Sequence, residues 1–158
     1  MSSNKAELLK KSLMRFYKNK GNLKKFTDVI NKKTTFSLRV VEWFCNNYSK
    51  KYDVVYLLNN FHQFNVYQSY KSQLDSYQKK QFDPFKRKHE GFEIFYIDDE
   101  KTIPTTVGQL NFFKWCIQNG VLEYIQNYVQ DIKKDMASSI KNSNLVKQTP
   151  LQDTKKKT

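Results

Sequence analysis

Cysteine, glycine, proline and arginine are all scarce in this chain of 158 residues, and each shortage removes a class of protein. Two cysteines, Cys45 and Cys116, cannot build the disulfide framework of a small secreted domain, and they suit a reducing compartment. Four glycines and three prolines exclude collagen-like and Gly/Pro-rich low-complexity chains. No apolar run approaches the roughly 18 residues of a membrane span. The N-terminus leads from Met1 into alternating Lys and Leu rather than an uninterrupted apolar core, so no signal peptide is read there. There is no Gly-rich phosphate loop and no G-x-S-x-G nucleophile elbow. The three arginines, Arg15, Arg39 and Arg87, leave little capacity for bidentate reading of guanine. These absences lead to an expectation of a soluble, intracellular protein.

What the chain has instead is lysine and aromatic residues. Twelve Phe and ten Tyr within a 39% hydrophobic composition are enough to fill one core, and the length fits one domain at roughly 100–200 residues each. The formal net charge is +13, and it is unevenly placed. Residues 1–35 hold ten basic residues against two acidic ones, and residues 136–158 hold five against one. The intervening segment balances 13 against 12. This divides the chain into a basic N-terminal helical arm (1–35), a near-neutral globular domain (36–136) and a disordered Lys-rich tail (137–158). Basic ends of this kind suit a polyanion, although lysine also serves solubility alone and is favoured by an AT-rich genome.

Hydrophobic spacing predicts the elements. Leu9, Leu13, Phe16 and Tyr17 share one face of a basic amphipathic helix over 5–18, ended by Gly21-Asn22. A second helix covers 23–31. A third, capped by Thr34 or Thr35, covers 36–50 with Phe36, Val40, Val41, Phe44 and Tyr48 at helical spacing. Short strands are expected at 53–58 and 64–66. A helix then carries Tyr67, Tyr70, Leu74 and Tyr77, and Pro84 closes it off. Residues 92–97 read as the strongest strand. Thr105 or Thr106 caps a helix bearing Leu110, Phe113 and Ile117, broken at Asn119-Gly120. One regular helix follows, carrying Leu122, Ile125, Val129, Ile132 and Met136. The expected fold class is α+β, a mostly helical single domain with a small antiparallel sheet.

Few residues suggest chemistry. Cys45, His62, His89 and Cys116 are scattered singly, without the paired spacing of a zinc site, so no metal or cofactor is expected. Asp99-Glu100-Lys101 with Asp83 imitates a divalent-metal nuclease, but the acidic cluster lies beyond the strand that should carry it. The unit around Asn119-Gly120 reads as a structural helical hairpin rather than a helix-turn-helix. Its second helix carries Glu123, Asp131 and Asp135 against Lys133 and Lys134. No enzyme is expected.

The basic residues carry the functional reading. Lys10, Lys11, Arg15, Lys18, Lys20, Lys24 and Lys25 in the arm are the candidate phosphate contacts, with Lys79, Lys80, Lys86, Arg87 and Lys88 in a loop and Lys155, Lys156 and Lys157 in the tail. Phe82 and Phe85 interleave with the loop cations, either to stack on bases or, as favoured here, to anchor the loop.

Three stretches, TFSLRVVEWFCNNYSKK (35–51), YKSQLDSYQKKQFDPFKRK (70–88) and TTVGQLNFFKWCIQNGVLEYI (105–125), resemble a small protein family of the nucleocytoplasmic large DNA viruses. The resemblance spans roughly 35–136 and is strongest in Gln81-Phe-Asp-Pro-Phe85 and Gly108-Gln-Leu-Asn-Phe-Phe-Lys-Trp115. It implies a giant-virus origin and a place in the host cytoplasm, the viral factory or the virion. It implies no activity and no functional residue. The expected function is non-enzymatic, largely sequence-independent binding of nucleic acid, DNA before RNA, with no membrane contact. The competing expectation is a virion structural or scaffold protein that contacts other virion proteins.

Overall fold

The computed structural model describes residues 2–59, 61–85 and 104–148. Helix α1 (Ser2–Tyr17) is followed closely by α2 (Lys20–Ile30). The break falls at Lys18-Asn19 rather than at Gly21-Asn22. Asn19 is extended, and its side-chain oxygen accepts the N–H groups of Gly21 at 2.9 Å and Asn22 at 3.1 Å, so these two residues begin a helix instead of ending one. Leu13 and Tyr17 of α1, with Leu23, Phe26 and Val29 of α2, are buried in the same core as the rest of the chain. The basic N-terminal segment is thus built into the core through its apolar face. Removing it would strip the core of two large aromatic residues.

Helix α3 (Leu38–Trp43) passes into a π-helical turn (Phe44–Tyr48) and a last short turn, α4 (Ser49–Lys51). Its cap is Ser37, whose hydroxyl accepts the Val40 N–H at 3.3 Å. Thr34, one of the two expected caps, donates its hydroxyl to the Phe36 carbonyl at 2.6 Å. Strands β1 (Val55–Leu58) and β2 (His62–Asn65) form an antiparallel hairpin with Tyr56 opposite Phe64. Asn65 then caps α5 (Val66–Ser76) by accepting the Gln68 N–H at 3.0 Å. Tyr70 of the expected tyrosine stripe is buried and Tyr67 and Tyr77 are half-buried, whereas Leu74 is exposed. The helix has ended by Tyr77, which is extended, and a 3-10 turn (Lys79–Gln81) follows. The strand expected at 92–97 lies outside the described residues.

The centre of the molecule is α6 (Val107–Gln118). Nine of its twelve residues are buried, so neighbours cover it on most sides. Thr106 caps it as expected, accepting the Gln109 N–H at 3.1 Å. Phe113 packs on Phe26 of α2 with ring centroids 5.1 Å apart, and Phe112 packs on Phe82 at 5.4 Å. Trp115 donates its indole N–H to Ser69 of α5 at 2.9 Å, which satisfies a polar atom that burial would otherwise strand. Cys45 and Cys116 are both buried free thiols, and their side chains meet in the core. The fold is therefore α+β, mostly helical, with a two-stranded antiparallel sheet.

Gly120 separates α6 from α7 (Val121–Asn127) at φ +65°, in the left-handed region. An added Cβ would meet only the Leu58 side chain at 3.9 Å, so the space is free and the strain is purely backbone. Gly120→Ala is expected to cost about 1–2 kcal/mol. In urea this lowers the unfolding midpoint without changing the slope. The regular helix expected over 121–136 is instead two helices, with Tyr128 between α7 and α8 (Val129–Gln148). The hydrogen-bond ladder nearly carries through, because Tyr128 N–H reaches Tyr124 O at 3.1 Å and Ile132 N–H reaches Tyr128 O at 3.1 Å. Accordingly Leu122, Ile125, Val129 and Ile132 all stay on the buried face. Helix α8 also runs on to Gln148, through residues where disorder was expected. No apolar period supports that stretch, but extending a helix already nucleated by packed turns costs little.

Candidate nucleic-acid interface

Helix α1 runs antiparallel along α6. Tyr17 donates its hydroxyl to the Leu110 carbonyl at 2.7 Å, and Lys114 donates to the Ser12 hydroxyl at 2.8 Å. Burial holds the Tyr17 phenol well above its ordinary range, with a smaller contribution from Cys116, so this donor stays protonated. On the other side of α6 lies the segment after α5. The Asp83 N–H donates to the Gly108 carbonyl at 3.2 Å, and the Asn111 side-chain amide donates to the Gln81 carbonyl at 2.9 Å. Between these two walls, Val107, Asn111, Lys114 and Gln118 form one stripe along α6 at helical spacing. The stripe is the floor of a trough.

Exposed cations stand on the elements that flank it. Lys11, Arg15 and Lys18 recur at i, i+4 and i+7, so they share one face of α1, and all three are exposed. Lys79 and Lys80 are exposed on the 3-10 turn of the opposite wall. Lys114 rises from the floor with its ammonium 5.8 Å from the Phe16 ring centroid. Desolvation and, secondarily, the Arg15 charge hold its pKa below the ordinary lysine value. Among the described residues, none of these six makes an ion pair.

The other expected contacts divide into three groups. Lys20 is exposed at the start of α2, and Lys10 is half-buried beside a partner. Lys24 pairs with Asp28 at 2.8 Å and Lys25 with Glu123 of α7 at 3.0 Å, so both already have a local counter-charge. Lys86, Arg87, Lys88, Lys155, Lys156 and Lys157 lie outside the described residues, as do His89 and the Asp99-Glu100-Lys101 cluster. Phe82 is buried against Phe112, Trp115 and Tyr77, which makes it an anchor rather than an exposed stacking platform. Asp83 is also buried and accepts the Phe85 N–H at 3.0 Å. Lys114 was missed in the sequence, where it stands inside an apolar helix. The signal was the polar interruption Asn111, Lys114, Gln118 at spacings of three and four.

The trough floor widens into a cleft of about 320 Å³ between α5 and α6. Its lining is mainly side-chain amides and hydroxyls, with Lys114 its one cation among the described residues. Among the described residues no group of His, Cys, Asp and Glu is placed to hold a metal ion, and no helix is long and apolar enough to cross a membrane.

The whole chain, residues 1–158, matches a family of unknown function, DUF7197. The chain belongs to that family. An uncharacterized protein, L507, of Acanthamoeba polyphaga mimivirus is 35% identical over 126 residues, which covers 76% of this chain and 49% of that relative. The chain thus spans about half the length of the curated relative it matches. The giant-virus resemblance read from the three sequence stretches agrees with this relative. No solved structure matches the chain.

Proposed function

We propose that this member of DUF7197 is a non-enzymatic, largely sequence-independent DNA-binding protein of a large DNA virus, acting in the viral factory or on the packaged genome. The observation that supports this most is a set of cations that make no ion pair among the described residues: exposed Lys11, Arg15 and Lys18 on α1, exposed Lys79 and Lys80 on the 3-10 turn, and Lys114 on α6, the helix that both elements pack against. Unpaired surface cations gain most from phosphates, because each contact releases a condensed counterion without breaking an internal ion pair. Five of the six are lysines, which act as point charges and not as planar forks, so position on the backbone is favoured over base identity.

The test is duplex affinity by fluorescence anisotropy across a salt series, comparing the full chain with the triple variant Lys11→Glu/Arg15→Glu/Lys18→Glu. All three side chains are exposed, so the variant keeps its core. The wild type is expected to show a steep log–log salt dependence. The variant is expected to lose more than tenfold in affinity, with the slope reduced by roughly three, about one phosphate per residue changed. Absence of binding at low salt would remove the DNA-binding reading.

A second reading, a virion structural protein with a protein partner, draws on the hairpin. Val55 and Leu57 on β1 are 41% and 60% exposed, and Phe61 at the turn is 88% exposed. Apolar side chains so placed suit a protein contact, which would survive salt that abolishes phosphate binding.

A further inference from the structure

We propose that the cleft between α5 and α6 receives one unpaired nucleobase, so that the chain prefers single-stranded DNA to duplex. This rests on the DNA-binding reading above and names the form of the ligand. The cleft of about 320 Å³ is at the small end of the range for ligand sites, the size for one nucleotide unit rather than a duplex groove. Half of its lining residues, Gln73, Asn111, Gln118 and Asn119, are amides that carry both donors and acceptors, the chemistry that matches the mixed donor–acceptor edge of a base. Asn111 is only 6% exposed, and its amide nitrogen is committed to the Gln81 carbonyl. Its oxygen has no donor among the described residues and is thus available to a ligand N–H. Gln73 and Gln118 line the same cleft with amides that make no hydrogen bond among the described residues. In a duplex the base edge that these groups would read is already paired.

Two further features fit an attached nucleotide. Tyr77 lines the cleft while its ring stacks on Phe82 at 6.2 Å and an interplanar angle of 10°. That contact holds an aromatic ring at the edge of the cleft, where a base can stack or pack against it. Lys114 gives one N–H to Ser12 and has two left for the phosphate of the same nucleotide, next to the Arg15 side of the trough. An apolar ligand would find little matching surface here, and a bare phosphate would meet one cation among many amides.

The experiment compares the full chain's affinity for one labelled oligonucleotide, single-stranded and as its duplex, at fixed salt. It is repeated with Gln73→Ala, a side chain on α5 outside the α6 stripe that makes no hydrogen bond among the described residues, so its loss leaves the fold intact. A second variant, Asn111→Ser, trims the buried amide. The single strand is expected to bind about tenfold more tightly than the duplex, within the range one stacked and bonded base supplies. The glutamine variant is expected to lose that preference while its duplex affinity is unchanged. Equal wild-type affinity for the two forms, or a preference that persists in both variants, overturns the base cleft but leaves DNA binding in place. Failure to bind either form overturns both.

Discussion

Gly108→Ala is expected to be among the most damaging single-atom additions in this chain, lowering stability by about 1–3 kcal/mol through overpacking. A Cβ at Gly108 would lie 2.7 Å from the Lys80 carbonyl oxygen and 3.3 Å from the Asp83 nitrogen. Both are backbone atoms, so no side chain can swing aside. Relief requires the 3-10 turn to lift off α6, and the lift breaks three tethers. These are Asp83 N–H to Gly108 O, Asn111 amide to Gln81 O, and Gln109 amide to Pro84 O at 2.9 Å. Gln109 is itself buried and accepts the Thr105 hydroxyl at 2.8 Å, so a displaced turn also leaves a polar side chain in the core without one partner. Denaturant unfolding monitored by tryptophan fluorescence reads the loss, because Trp115 packs on Phe82 of the displaced segment. If DNA binding uses Lys79 and Lys80, the same variant weakens it at temperatures where the protein is still folded.

The two strings that carried the family resemblance are thereby explained as each other's packing partners. Phe82 enters between Phe112 and Trp115, and the backbone carbonyls of Gln81 and Pro84 accept the side-chain amides of Asn111 and Gln109 on α6. Neither string was legible as half of a contact, because sequence spacing reports which face an element buries and not what covers it. Elements with a strong period were readable for that reason. The buried face of α1, the Thr106 cap and the Gly120 break were all visible in the residues themselves, whereas α6 is buried on most sides and its sequence period showed only one of them. The Asn19 cap was missed because Gly21-Asn22 nearby is the louder turn signal, and the break at Tyr128 leaves the apolar period unchanged. For the candidate site, the exposed cations of α1 could be read from charge and period. Lys114 and the amides around it could not, since they become neighbours only when α1, α5 and α6 pack.

Asp135→Asn is expected to lower stability by about 2 kcal/mol and to remove part of its acid dependence. The carboxylate is nearly buried at the contact of α8 with the segment running from α3 to Tyr52. It accepts the Trp43 indole N–H at 3.1 Å, the Tyr52 hydroxyl at 3.2 Å and the Lys51 ammonium at 2.6 Å. Burial pushes the Asp135 pKa up, but these hydrogen bonds, led by Lys51 and Trp43, outweigh burial and hold it below the usual carboxylate value. Lys51 is 54% exposed, so water screens its share, and the figure rests mainly on the indole and hydroxyl donors that would lose a charged acceptor. Because the folded pKa is depressed, the unfolded chain binds this proton first as pH falls. The stabilisation is fully present above the unfolded value near 3.9 and is lost as pH drops through the lower, folded value. Urea midpoints measured from neutral pH down to the acid limb should therefore fall in the wild type. In Asp135→Asn the starting midpoint is lower and the acid limb shallower. A variant with an unchanged acid limb would show that other carboxylates carry that dependence and that the Asp135 hydrogen bonds hold the helices together without setting their response to pH.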